Sequence, residues 1–379
     1  MNIEESSFKP RILVAPLDWG LGHATRSIPL INKLLDFNCT VFLAGEGRVR
    51  SLLENEFPTL NFLDLKGYNI TYSKNRWTLP FSIGAQIPKI LSTIDDEQIW
   101  LQNVIKEHGI DAVISDNRYG LYHPAIPSIF ITHQLLIKTG FGKFADGLLQ
   151  QFNYDFINRF TECWIPDEEG DSNLGGDLSH PDEKPEIPLK YLGPLSRFNN
   201  LPAESVEETH LLLLISGPEP QRSILEQLLI EQLSDYNDKV VFVRGLPGNT
   251  DQLETGDHIE VYDHLPAKEL KQKFEQAHLV ISRCGYSTVM DLAAMKKKCI
   301  LIPTPGQTEQ EYLATYLMQH NFALCIDQDK FKLTQALNLA ASYNYSFPNL
   351  DSSNQLTNAI QNLLSSLRSV FIGPPAAGF

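Results

Sequence analysis

Two turns along this chain set glycine beside residues that can hold or move charge. The first is DWGLGHATRS, Asp18 to Ser27, directly after an apolar run and at the start of an amphipathic stretch. Gly20 and Gly22 permit positive φ and close backbone approach, and His23, Thr25 and Arg26 follow where a strand's carboxyl end would open into a cleft. Histidine and arginine suit a helix start poorly, since that end favours carboxylates and hydroxyls. The turn therefore reads as one that faces a cleft rather than as a purely structural one.

The second turn lies in SRCGYSTVMDLAAMKKKCILIPTPGQTEQEYLA, Ser282 to Ala314. Gly285 makes the turn after a strand, and Ser287 and Thr288 are expected to cap a new helix. The exposed N–H groups and dipole of that helix, roughly half a positive charge, suit a diphosphate. Arg283 stands beside it, and Asp291 one helical turn later is placed for ribose hydroxyls. Beyond the next strand, Gln307, Thr308, Glu309, Gln310 and Glu311 are expected at the cleft mouth. Their amides and carboxylates can exchange directional bonds with uncharged sugar hydroxyls.

Other candidates are less specific. Ser216 and Gly217 in SGPEPQR could touch a phosphate, and Arg244 at a strand end suits either a diphosphate or an ion pair. His264 precedes a helix at a place where a base edge could be read. In the first half, SDNRYG sets Asp116 and Arg118 at the carboxyl end of a strand, and His133 after SIFIT is similarly placed.

Composition excludes several classes. The net charge of −15 argues against a nucleic-acid binder, which needs clustered Lys and Arg. Five widely spaced cysteines read as free thiols in a reducing compartment, and without a CxxC pair no cysteine zinc site is expected. The one DxD triplet, Asp327 and Asp329 about Gln328, lies beyond the cleft motifs, so no metal site is expected. The first turn lacks the GxGxxG spacing and its ribose-reading acidic partner, which disfavours NAD. No signal-peptide core or membrane-length apolar run occurs, so a cytoplasmic protein is expected, held at most on the inner membrane surface. Leu135 to Phe160, with Lys138, Lys143 and Arg159 among aromatics, suits a helix that docks on lipid or one that packs on the core.

These residues need a scaffold, and the chain alternates short β-branched or Leu-rich runs with amphipathic stretches, the pattern of parallel βα units. Strands are expected at Arg11–Pro16, Cys39–Gly45, Asn61–Leu65, Asp111–Ser115, Pro127–Thr132 and Cys163–Pro166, with helices near 23–35, 49–56 and 87–108. The alternation restarts at Leu211–Ser216 and continues through Lys239–Gly245, His258–His264, His278–Arg283 and Lys298–Pro303. Two doubly wound Rossmann-like α/β domains are therefore expected, 1–195 and 209–353 with 196–208 as linker, the second carrying the loops suited to a diphosphate and sugar hydroxyls. A last segment, 354–379, is expected to cross back as a helix and end in a tail.

Taken together, the two turns resemble the MurG-like glycosyltransferases, which have the GT-B fold. GLGHATRS is similar to the family's Gly-Gly-His turn, and STVMD followed by QEYLA is similar to its Thr-Val-x-Glu and Gln-Gln pattern. The resemblance implies that His23 contacts the acceptor or acts as base, with Asp116 the second candidate base, that Asp291 stands for the ribose-binding Glu, and that Gln310 with Glu311 stands for the donor-sugar Gln pair. It implies an inverting, metal-independent transfer from a nucleotide-sugar, UDP-linked, to a glycan or lipid-linked acceptor, with no cofactor. Asp291 is one methylene short of Glu, and Glu311 exchanges an amide for a carboxylate, so the donor sugar stays open. The turn is also similar to the Gly-x-Gly-His-x-x-Arg of PseG sugar-nucleotide hydrolases, matched by His23 and Arg26. Hydrolysis, 2-epimerisation and non-catalytic nucleotide-sugar binding are the alternatives.

Overall fold

The computed structural model describes residues 9–68, 86–199, 201, 206–249, 253–350 and 354–372. The tail expected at the C-terminus lies outside them from 373 onward, as do 202–205 of the expected linker.

The first domain strings β1 (Arg11–Pro16), α1 (Gly22–Asp36), β2 (Thr40–Gly45), α2 (Gly47–Glu56), β3 (Asn61–Asp64), α3 (Ile87–His108), β4 (Ala112–Asp116), β5 (Ser128–Ile131), α4 (Lys143–Ile157), β6 (Glu162–Ile165) and β7 (Leu189–Tyr191). The second runs β8 (His210–Leu214), α5 (Gln221–Leu233), β9 (Val240–Val243), β10 (Ile259–Tyr262), α6 (Ala267–Glu275), β11 (Ala277–Arg283), α7 (Tyr286–Met295), β12 (Cys299–Ile302), α8 (Thr308–Gln319), β13 (Leu324–Cys325), α9 (Leu333–Ser342) and α10 (Gln355–Ile372). β7 and β13, three and two residues long, are too short to carry an alternation and were not expected.

Every strand pairing is parallel. The sheets run β3-β2-β1-β4-β5-β6-β7 and β10-β9-β8-β11-β12-β13. Each order reverses beside its first strand, so each sheet has a switch point between that strand and the fourth, where loops at the carboxyl ends diverge into a crevice. The Gly-rich turn after β1, the end of β4, the 215–220 loop after β8 and the turn after β11 all sit at those points. Strands buried on both faces, such as HLLLL at β8, read as continuous apolar runs because helices cover both sides.

α1 ties the halves together. From Ala24 to Ile31 all its residues are buried, because it lies between its own sheet and both α7 and α10. Ala359, Ile360, Leu363, Leu364 and Leu367 of α10 join the same apolar cluster. Gln355 at its start donates to Glu168 of the first domain at 3.0 Å.

Candidate active site

His23 and Arg26 sit on the first turn of α1, one helical turn apart, and face the end of β4. His23 Nδ1 lies 2.8 Å from Asp116 Oδ1, Arg26 Nε donates to Asp116 Oδ2 at 2.6 Å, and Arg26 Nη2 also donates to Oδ1. Burial alone would raise the Asp116 carboxyl, but Arg26 and His23 beside it overcome that and hold it well below the usual carboxylate range. Arg26 Nη2 also stands 2.9 Å from His23 Nδ1, but its nearer acceptor is Asp116 Oδ1; an ionised carboxylate only accepts, which assigns the His23 proton to Nδ1. That leaves the Nε2 lone pair available, and no described residue bonds it. Asp116, the second candidate base, is saturated by these bonds and buried; it orients His23.

The cluster continues across the cleft. Arg26 Nη1 lies 2.8 Å from His133 Nδ1, and His133 Nε2 lies 2.7 Å from Oε1 of Glu309 on α8. Burial lowers the His133 pKa, with the Arg26 charge adding to it against the pull of Glu309. Tyr286 of the second domain stacks on the His133 ring at 4.2 Å and 6° and donates its hydroxyl to the Pro166 carbonyl at 3.0 Å.

The two key turns also touch. Ser287 donates its hydroxyl to the Gly22 carbonyl at 2.8 Å. A Cβ on Gly22 would stand 3.0 Å from Ser287 Oγ, a tight contact that the serine would have to yield to by a few tenths of an ångström. Gly20, at φ +101°, occupies the region side chains avoid. The expectation that Ser287 and Thr288 cap α7 is corrected: Gly285 is the cap residue without a side-chain bond, and both hydroxyl residues lie inside the first turn. The N–H groups at this helix start are therefore not consumed by a side-chain cap. Thr25, Ser216, Thr288, Arg197 and His264 line the small cavity beside them. Burial, then the Arg197 charge, brings His264 down to about 4, so its ring is neutral.

Several candidates are engaged elsewhere. Arg118, expected in the cleft, is 0% exposed and donates to Glu97 at 2.7 Å; Tyr68 bonds the other Glu97 oxygen at 2.9 Å, so this trio props up the loop after β4. Asp291 is buried and accepts from Ser196 at 2.8 Å and Arg197 Nε at 2.8 Å, which closes its carboxylate against the linker. Arg244 takes the ion-pair role, with Glu226 at 2.8 Å and Asp263 at 2.7 Å. Arg283 is 1% exposed and donates to the carbonyls of Gln221, Ile302 and Pro303; desolvation lowers it to about 9. Gln310 accepts from Thr304 N at 2.9 Å and Glu311 from Gly306 N at 3.0 Å, so the pair shapes the loop before α8. Gly217, at φ +114°, turns the loop after β8.

Arg197 and the His133–Glu309 link were not read from sequence. An arginine among the apolar residues of the linker segment was the available sign of Arg197. Among the described residues no group of three or more His, Cys, Asp or Glu is gathered as a metal ligand set, and no helix is long and apolar enough to cross a membrane.

Comparison with known proteins bears on the fold and on the second domain. Residues 222–364 match the model of the glycosyltransferase family 28 C-terminal domain. A curated relative in Methylorubrum extorquens, named "UDP-N-acetylglucosamine--N-acetylmuramyl-(pentapeptide) pyrophosphoryl-undecaprenol N-acetylglucosamine transferase", is 42% identical over 66 residues, 17% of this chain and 18% of its own. A protein of the same name in Haemophilus ducreyi is 27% identical over 158 residues, 40% of this chain and 43% of its own. The chain thus spans under half the length of these relatives. Among solved structures, the glycotransferase of kitacinnamycin superposes with a TM-score of 0.60 at 16% identity, over 96% of this chain and 98% of that one. Acinetobacter baumannii MurG gives 0.52 at 13%, over 94% and 100%. With both sheets in place, the chain has the GT-B fold, and its residues 222–364 match the glycosyltransferase family 28 C-terminal domain.

Proposed function

We propose that this protein transfers a sugar from a UDP-linked donor to a hydroxyl of a glycan or lipid-linked acceptor, inverting the anomeric carbon and using no metal. The observation that carries this reading is the His23–Asp116 pair, which the Ser287–Gly22 bond brings beside the N-terminus of α7. His23 Nε2 removes the acceptor proton as the hydroxyl oxygen attacks the anomeric carbon, and the bond to the diphosphate breaks on the opposite face. Charge gathering on the departing diphosphate meets the N–H groups of α7, with the buried Arg283 guanidinium nearby in sequence adding positive potential. Thr25, Ser216, Thr288 and His264 are the candidate contacts for the nucleotide.

A lipid-linked acceptor draws support from the relatives' name, which includes pyrophosphoryl-undecaprenol. It also draws on α4, which turns Phe144 (82% exposed) and Leu148 (61%) outward at helical spacing, with Phe141 (64%) just before it. An apolar stripe of this kind beside exposed Lys143 suits the membrane surface.

The test is to incubate the protein with a panel of UDP-, GDP- and dTDP-sugars, with and without hydroxyl acceptors, and to follow diphosphate release. Transfer predicts release that requires acceptor, with inverted configuration in the product. Rapid release of UDP without acceptor would replace transfer by hydrolysis, and binding without turnover would leave a nucleotide-sugar binding protein.

A further inference from the structure

His133 stands between two partners that together settle where its proton sits. Arginine has only donors, and Nη1, unlike Nη2 with Asp116 beside it, meets no other acceptor among the described residues, so its 2.8 Å contact requires a bare Nδ1. The ring proton then lies on Nε2, and its acceptor is Glu309 at 2.7 Å, a residue of the opposite domain. Tyr286, also of the second domain, holds the ring plane by stacking. On the other side, Arg26 grips both oxygens of Asp116, the group that keeps the His23 proton on Nδ1.

We propose that Glu309 is a positioning residue: carried in by the second domain, it fixes the His133 tautomer that braces Arg26 on Asp116, so that His23 becomes a base only when the two domains meet. The inference rests on the reading of His23 as base. Without the Glu309 acceptor, the alternative tautomer would turn Nδ1–H against a guanidinium N–H, two donors facing each other. Arg26 would then lose one of the contacts that lock its fork, and the Asp116–His23 geometry would loosen with it. Coupling of this kind would suppress proton abstraction while the cleft is open to water.

A carboxylate at the cleft mouth could instead serve the donor sugar directly, and two substitutions separate the roles. Glutamine at 309 keeps an oxygen that accepts the Nε2 proton; alanine does not. Turnover would be followed by UDP release from UDP-N-acetylglucosamine, or from whichever panel donor the wild type turns over, in wild type, Glu309→Gln and Glu309→Ala. Tautomers would be read from 15N chemical shifts of histidine-labelled protein, with His133→Gln identifying the signal. The proposal expects wild type and E309Q to show His133 protonated on Nε2, and E309A to shift it toward Nδ1. It expects kcat to fall by about tenfold or more in E309A, with donor KM within about threefold, and to be largely rescued in E309Q. An unchanged His133 tautomer in E309A would overturn it, as would equal rises in KM with kcat intact in both variants. Should the wild type turn over no donor, the transferase reading fails, while the tautomer comparison still decides the role of Glu309.

Discussion

Arg26 makes three kinds of contact at once: a two-pronged grip on Asp116, a close approach to His23 and a bond to His133. A buried guanidinium is tolerable only with such company, and removing its counter-charge should be costly. Asp116→Asn should therefore destabilise the fold by about 3–5 kcal/mol in denaturant unfolding, because it strands Arg26 in the interior. The pH dependence follows from the lowered Asp116 pKa. A carboxylate depressed in the folded state contributes its stability above its unfolded value, near 4, and loses it as pH falls toward the folded one. Wild-type stability should thus drop more steeply between about pH 5 and 3 than that of Asp116→Asn; equal slopes would remove Asp116 from the account. At this scale the sequence was partly legible. His23 stood out because glycine-flanked histidine is an odd helix start, whereas Asp291 gave no sign of its partner, since Arg197 is brought to it only by the packing of the linker on α7.

Single elements carry two further expectations. The start of α7 meets the turn after β1 so closely that a methyl group on Gly22 would stand 3.0 Å from Ser287 Oγ. Gly22→Ala should push the two turns apart and weaken nucleotide-sugar turnover, while Gly47→Ala, whose Cβ meets nothing within 4 Å, should act only through its φ of +56° and so spare turnover. For α4, the double substitution Phe144→Glu and Leu148→Glu removes two outward apolar groups from a face that packs on nothing described. Its effect on stability should stay within about 0.5 kcal/mol per site. Flotation with phosphatidylglycerol-containing vesicles should fall sharply, and unchanged flotation would remove α4 from the membrane reading. The helix itself was foreshadowed by aromatic and aliphatic interleaving from Leu135 onward, yet it begins only at Lys143 after Gly140 and Gly142, both at positive φ.

At the scale of the molecule, alternation of apolar runs and amphipathic stretches was enough to read two parallel α/β domains, because strands buried on both faces leave an unmistakable pattern. How the domains sit was not legible, since the contacts that join them link residues far apart in sequence: Ser287 to Gly22, Glu309 to His133, Glu56 to the start of α6 at 2.6 Å. The cavity between them is about 40 Å³, against roughly 300–1,000 Å³ for ligand pockets. On the proposed function, a nucleotide-sugar would enter with the halves parted, and the contacts that close them would be those that assemble the base. The central claim is that His23 serves chemistry from the domain opposite the nucleotide. It is tested most directly by comparing His23→Ala with wild type for acceptor-dependent diphosphate release and for donor affinity by calorimetry. The account predicts turnover reduced by about 10²–10⁴-fold with donor Kd nearly unchanged; turnover retained, or lost only in step with donor affinity, would contradict it.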